Sequence, residues 1–91
     1  MTYIFTRVDV GEYEAWKPMF DADPPGARKA ARGHRVFRGL ENPNEVFVQV
    51  EFESPEDAQA AREKLVASGV LARFDDTTGP TVAEEAESVR Y

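Results

Sequence analysis

From residue 45 to residue 53 the chain alternates: Val46, Val48, Val50 and Phe52 hold the even places, and Phe47, Gln49, Glu51 and Glu53 the odd ones. A period of two belongs to an extended strand, whose successive side chains leave on opposite faces. The uniformly apolar even face must be covered, and helices are the natural cover in a mixed chain. Residues 34–40 form a second strand-like run, and Glu41-Asn42-Pro43-Asn44 between the two is a turn-forming tetrad. An antiparallel hairpin is therefore predicted.

A strand and a helix precede this hairpin, and a helix and a strand follow it. Residues 2–10 are β-branched and aromatic and end at Gly11, as a strand closed by a breaker does. Tyr13, Trp16 and Phe20 then recur at helical spacing, with Pro18 expected to kink that helix or restart it. Asp23-Pro24-Pro25-Gly26 interrupts the pattern, and residues 27–32 are expected to add one or two helical turns before Gly33 caps them. After the hairpin, Ser54-Pro55-Glu56-Asp57 carries an N-cap hydroxyl, a first-turn proline and first-turn acids, predicting a helix over 55–67. Gly69 ends it, 70–74 add a short helical piece, 77–80 read as a turn, and 81–91 as the last strand. The order βαββαβ gives an α+β, ferredoxin-like domain over residues 1–91, with a four-stranded antiparallel sheet and strand one in its centre.

Composition removes several function classes. The chain has no cysteine and one histidine among its 91 residues, so neither a disulfide framework nor a Cys or His metal cluster is expected. Seventeen acids against eleven bases give a net charge of −6, which repels phosphate backbones and argues against nucleic acid as the partner. The one basic cluster, Arg28, Lys29, Arg32, Arg35 and Arg38, reads first as the basic last turn of a helix. No long apolar stretch or leader-like segment opens the sequence, so the expectation is a cytoplasmic chain with no membrane contact. Gly-rich phosphate loops, a nucleophile elbow and metal-binding helices are all missing.

The second face of the sheet is too apolar to stay wet. It is expected to carry Phe47 together with Tyr3, Phe5, Val36 and Leu40, and a homodimer closing two such faces around a cavity would bury them. The segments Tyr13-Glu-Ala-Trp16-Lys-Pro-Met-Phe20-Asp21, Gly33-His-Arg-Val-Phe-Arg38 and Asn42-Pro-Asn-Glu-Val46 resemble the dimeric α+β barrel superfamily, in particular its antibiotic biosynthesis monooxygenase-like and cyclase-like small proteins. That resemblance implies cofactor-free oxygenases, cyclases, isomerases, haem degraders or proteins without known activity, and fold alone does not choose among them. The expectation taken from it is a homodimer acting, without a cofactor, on a small apolar, aromatic or polyketide-like ligand. A non-catalytic dimeric ligand-binding or accessory protein is the alternative.

A hairpin loop of two or four residues would pair even positions of the first run with odd positions of the second. With the four-residue loop His34 would oppose Glu51, and Arg38 would oppose Phe47, on the cavity side with Val36 and Gln49. The imidazole and carboxylate would form the acid-base pair, with His34 held partly as the cation; a solvated strand-end histidine beside an acid is the plain alternative. Arg38 would face a ligand enolate, phenolate or carboxylate, or else bridge to an acid across the dimer. Gln49 would orient a carbonyl or bridge the dimer. Trp16 would line a pocket or pack in the core, and Tyr3 joins the substrate wall if its face of strand one is the cavity face. The catalytic set is thus His34, Glu51 and Arg38, and the binding set Tyr3, Trp16, Val36, Phe47 and Gln49.

Overall fold

Strand β1 (Thr2–Asp9) alternates buried and outward positions along its length, and in the computed structural model, which describes all of residues 1–91, it lies inside the sheet as the alternation demands. The chain continues through α1 (Tyr13–Ala22), β2 (Gly33–Arg38), β3 (Glu45–Phe52), α2 (Pro55–Ser68), a 3-10 turn at Val70–Arg73 and β4 (Thr77–Glu84). The strands are ordered β2-β3-β1-β4, and every neighbouring pair is antiparallel. This is the ferredoxin-like βαββαβ arrangement, both helices lying against the face that carries Val46, Val48, Val50 and Phe52.

Those side chains form the core with Ile4, Val8 and Val10 from the first strand and its end and Ala58 and Ala61 from α2. The two helices approach the sheet differently, and this decides where a cavity can form. Helix α2 buries only alanines, so its backbone sits close to the sheet. At the start of α2, Ser54 Oγ accepts from the Asp57 N–H at 3.2 Å, giving that helix the expected cap. Helix α1 buries nothing completely and meets the core through the bulky, half-buried Tyr13, Trp16 and Phe20, which hold it away.

Four expectations are corrected. Helix α1 runs unbroken through Pro18, because the proline forfeits only the bond to the Glu14 carbonyl while packed aromatics on both sides hold the helix. No helix forms over 27–32: Asp23, left-handed at φ 47°, ends α1, and its carboxylate accepts the N–H groups of Ala27 at 3.2 Å and Arg28 at 3.0 Å, fixing a turn instead. Gly33 accordingly opens β2 rather than capping a helix. The last strand comes early, at Thr77–Glu84, and 85–91 have no regular structure. Gly79 (φ 94°) lets the strand bulge where the pairing to β1 shifts between Phe5 and Arg7, and a Cβ there would lie 2.6 Å from the Phe5 carbonyl oxygen.

The register of the hairpin also departs from expectation. His34 pairs with Val50, Val36 with Val48, Phe37 with Phe47 and Arg38 with Val46. The loop is five residues long, since the Gly39 N–H donates to the Glu45 carbonyl at 2.8 Å and so adds a rung beyond β2. Asn42 closes it by accepting from the Glu45 N–H through its carbonyl and from the Asn44 N–H through its side chain. One extra loop residue reverses the parity of every pair. His34, Val36 and Arg38 therefore lie on the helix side, and Arg35 and Phe37 on the open side.

Candidate functional site

A cavity of about 290 Å³ opens where α1 stands off from the sheet. Its floor is Ile4, Val48, Val50 and Phe52. Trp16, Met19 and Phe20 come from α1, and Leu71 and Phe74 close the far side. This volume lies at the small end of the range for small-molecule sites, roughly 300–1,000 Å³, and the lining is mostly apolar and aromatic as such sites are. The polar groups reaching it are Thr6, Asp23, Arg28, Ser68 and Arg73.

The Asp23 to Arg28 turn supplies one edge. The Arg28 guanidinium lies over the Phe20 ring at 3.6 Å, donates to the Phe20 carbonyl oxygen, and faces Asp23 Oδ1 at 3.6 Å. Phe20 also stacks on Trp16 at 4.8 Å and receives His34 edge-on at 5.1 Å. Trp16 is therefore a cavity wall and not merely core, whereas His34 stands one ring outside it. Burial lowers the His34 pKa, the positive charges of Arg28 and Lys17 lower it further, and Asp21 opposes them weakly.

The His34–Glu51 pair does not exist. Glu51 points to the open face, opposite Tyr3 and Gly33, while His34 is on the helix side opposite Val50. The direction expected for the imidazole is reversed with it. Arg38 leaves the open face as well: it lies on the helix side opposite Val46, covers the Tyr13 ring at 3.9 Å, and its Nε donates to the Pro43 carbonyl at 2.9 Å. Val36 packs half-buried on the helix side. The structure thus divides the eight residues, with Trp16, His34, Val36 and Arg38 on one side of the sheet and Tyr3, Phe47, Gln49 and Glu51 on the other.

On the open side Phe5, Phe37, Phe47 and Gln49 line a shallow concavity with Arg7. Phe37 lies directly opposite Phe47, the place foreseen for Arg38. Arg7 is bound at both ends, its Nε donating to Glu45 at 2.7 Å and its Nη1 to Asp76 at 2.6 Å. Tyr3 donates its hydroxyl to Glu85 at 2.9 Å, and that carboxylate is the main reason its pKa is raised.

Sequence reasoning missed Arg28, Asp23, Arg73 and Phe74. The only local signal was the Asp23-Pro24-Pro25-Gly26 interruption, whose acid organises the turn; Arg73 and Phe74 reach the cavity from an element distant in sequence.

Because His34 is the chain's only histidine, its titration is unambiguous. Its folded pKa should lie below the unfolded value near roughly 6.5. The unfolded chain then binds more protons between the two values, so stability is full above the unfolded pKa and is lost as pH falls toward the folded one. Lys17→Gln should move the NMR midpoint upward. A midpoint above the unfolded value would contradict this environment.

Comparison with solved structures places the fold. Rv0793 from Mycobacterium tuberculosis superposes with a TM-score of 0.67 at 13% identity, covering 98% of both chains. A candidate antibiotic biosynthesis monooxygenase from Deinococcus radiodurans gives 0.66 at 12% identity over 100% of this chain and 98% of that one. The corresponding protein from Nitrosomonas europaea gives 0.65 at 14% identity over 96% and 100%. The chain has the antibiotic biosynthesis monooxygenase-like fold. No family model matches the sequence, and no curated protein does. At such identities the monooxygenase-like likeness is one of backbone, so chemistry must be argued from the cavity itself. No helix is long and apolar enough to cross a membrane.

Proposed function

We propose that this chain is a cytoplasmic homodimer that binds a small aromatic molecule in the cavity between α1 and the sheet and acts on it as a cofactor-independent oxygenase. The cavity carries this reading: an apolar chamber walled by Trp16, Phe20 and Phe74, with few polar groups, in a fold shared with two structures described as candidate antibiotic biosynthesis monooxygenases. An acidic methylene group between aromatic rings can supply the electrons itself. Loss of a proton to solvent leaves a carbanion that reduces dioxygen. One oxygen atom stays as the carbonyl and the other leaves as water with the two hydrogens of the methylene, so one methylene compound and one dioxygen become one ketone and one water. The chain's share is confinement, stacking on Trp16 and Phe74, and exclusion of water.

One observation favours ligand binding without turnover. The sole carboxylate on the wall, Asp23, is committed to two N–H groups and Arg28, and no imidazole lines the chamber. An oxygen electrode separates the readings. With an anthrone, which has such a methylene, protein-dependent uptake of one dioxygen per ketone formed is expected, with isotope from labelled dioxygen in the product, and Trp16→Ala should lower kcat/KM by about tenfold or more. Saturable binding with no uptake across a panel of such compounds would leave the binding reading alone.

A further inference from the structure

Arg28 and Arg73 both reach the cavity, but their charges are not equivalent. Arg28 faces Asp23, donates to a backbone carbonyl and covers an aromatic ring. Arg73, at the end of the 3-10 turn, has no hydrogen-bond or ion-pair partner in the protein and is exposed at the mouth. A complement to the helix dipole does not account for it, because a turn of four residues, Val70–Arg73, has little dipole to complement. In a chain of net charge −6, an unpaired guanidinium beside an aromatic chamber is a local reversal of sign. The opposite edge carries no free charge of this kind, since Arg28 faces Asp23 at 3.6 Å and Lys17 is bound to Asp21 at 2.7 Å.

We propose that the cavity selects organic anions: a compact aromatic body stacked against Trp16 and Phe74, with a carboxylate or a similarly placed oxyanion held by Arg73 at the mouth. This rests on the reading of the cavity as the ligand site. Guanidinium is suited to the task because its fork matches a carboxylate in two parallel bonds. The apolar wall supplies most of the affinity without regard to charge, and Arg73 supplies the discrimination between an acid and its neutral isostere.

Naphthoate and naphthamide share a ring system and differ in charge, and the single Trp16 gives one indole N–H resonance inside the cavity wall. Both compounds should shift that resonance, with calorimetry giving naphthoate an affinity roughly five- to tenfold higher. Arg73→Gln should abolish the preference while leaving naphthamide binding unchanged, and Lys29→Gln, which removes the same charge away from the cavity, should preserve it. Equal affinities in the unaltered protein, or a preference that survives Arg73→Gln, would overturn the anion assignment while the cavity reading stands. Failure of both compounds to move the Trp16 signal would bring down the cavity reading and this proposal together.

Discussion

Replacing Phe52 by alanine should destabilise the fold by about 3–5 kcal/mol, the range for removing a fully buried phenylalanine. Phe52 is 0% exposed, ends β3 opposite Thr2, and packs in the core cluster with Ala58 and Ala61. A domain of this length has only about 5–14 kcal/mol in total, at roughly 0.05–0.15 per residue, so a large part of the margin would go. The melting temperature should fall by roughly 15–30 °C at fixed protein concentration. Phe52 also floors the cavity, so the void would merge with a space open to water and relax little by collapse. A loss below about 1 kcal/mol in thermal or denaturant unfolding would show that β3 does not anchor this core. Val66→Ala is the contrast, because Val66 is 51% exposed on α2, away from the open sheet face, and should cost far less.

The βαββαβ order was legible because each element announces itself locally: the alternation in β3, the aromatic stripe of α1, and the Ser54-Pro55 start of α2. Loop geometry was not. Taking Glu41-Asn42-Pro43-Asn44 as the whole turn gave a four-residue loop, whereas Gly39 extends the ladder by one rung to Glu45. A Cβ at Gly39 would lie 2.7 Å from the Asn42 carbonyl oxygen, so glycine is what permits that closure. This single residue of parity moved His34 from the open face to the helix side and dissolved the proposed acid-base pair. Gly79-Pro80 misled for a related reason: the same residues signal a turn or a bulge, and only pairing with β1 decides between them. The cavity was hidden because its walls come from β1, α1, the Asp23 turn, β3 and the segment after α2, with no spacing to link them.

Phe47→Asp should convert the proposed homodimer to a folded monomer. Phe5, Phe37 and Phe47 are 44%, 50% and 41% exposed and share the open sheet face with Tyr3, a contiguous aromatic surface unusual for a chain that acts alone. A second copy is suited to cover it, since a two-fold interface sets each copy's patch against the other's. The polar residues among the aromatics fit that occupant: Arg7 is already neutralised by Glu45 and Asp76, and Gln49 can both donate and accept across the axis. Burying an unpaired carboxylate costs on the order of 3 kcal/mol, and symmetry introduces two, so the dissociation constant should rise by roughly 10⁴ or more. In the isolated chain position 47 borders solvent, so the far-ultraviolet spectrum should be preserved and subunit dissociation told apart from unfolding. Sedimentation equilibrium at micromolar concentration should give a dimer for the unaltered protein and a monomer for the variant. A monomeric unaltered protein, or a Phe47→Asp variant still dimeric with unchanged melting, would mean that the aromatic face is covered in some other way.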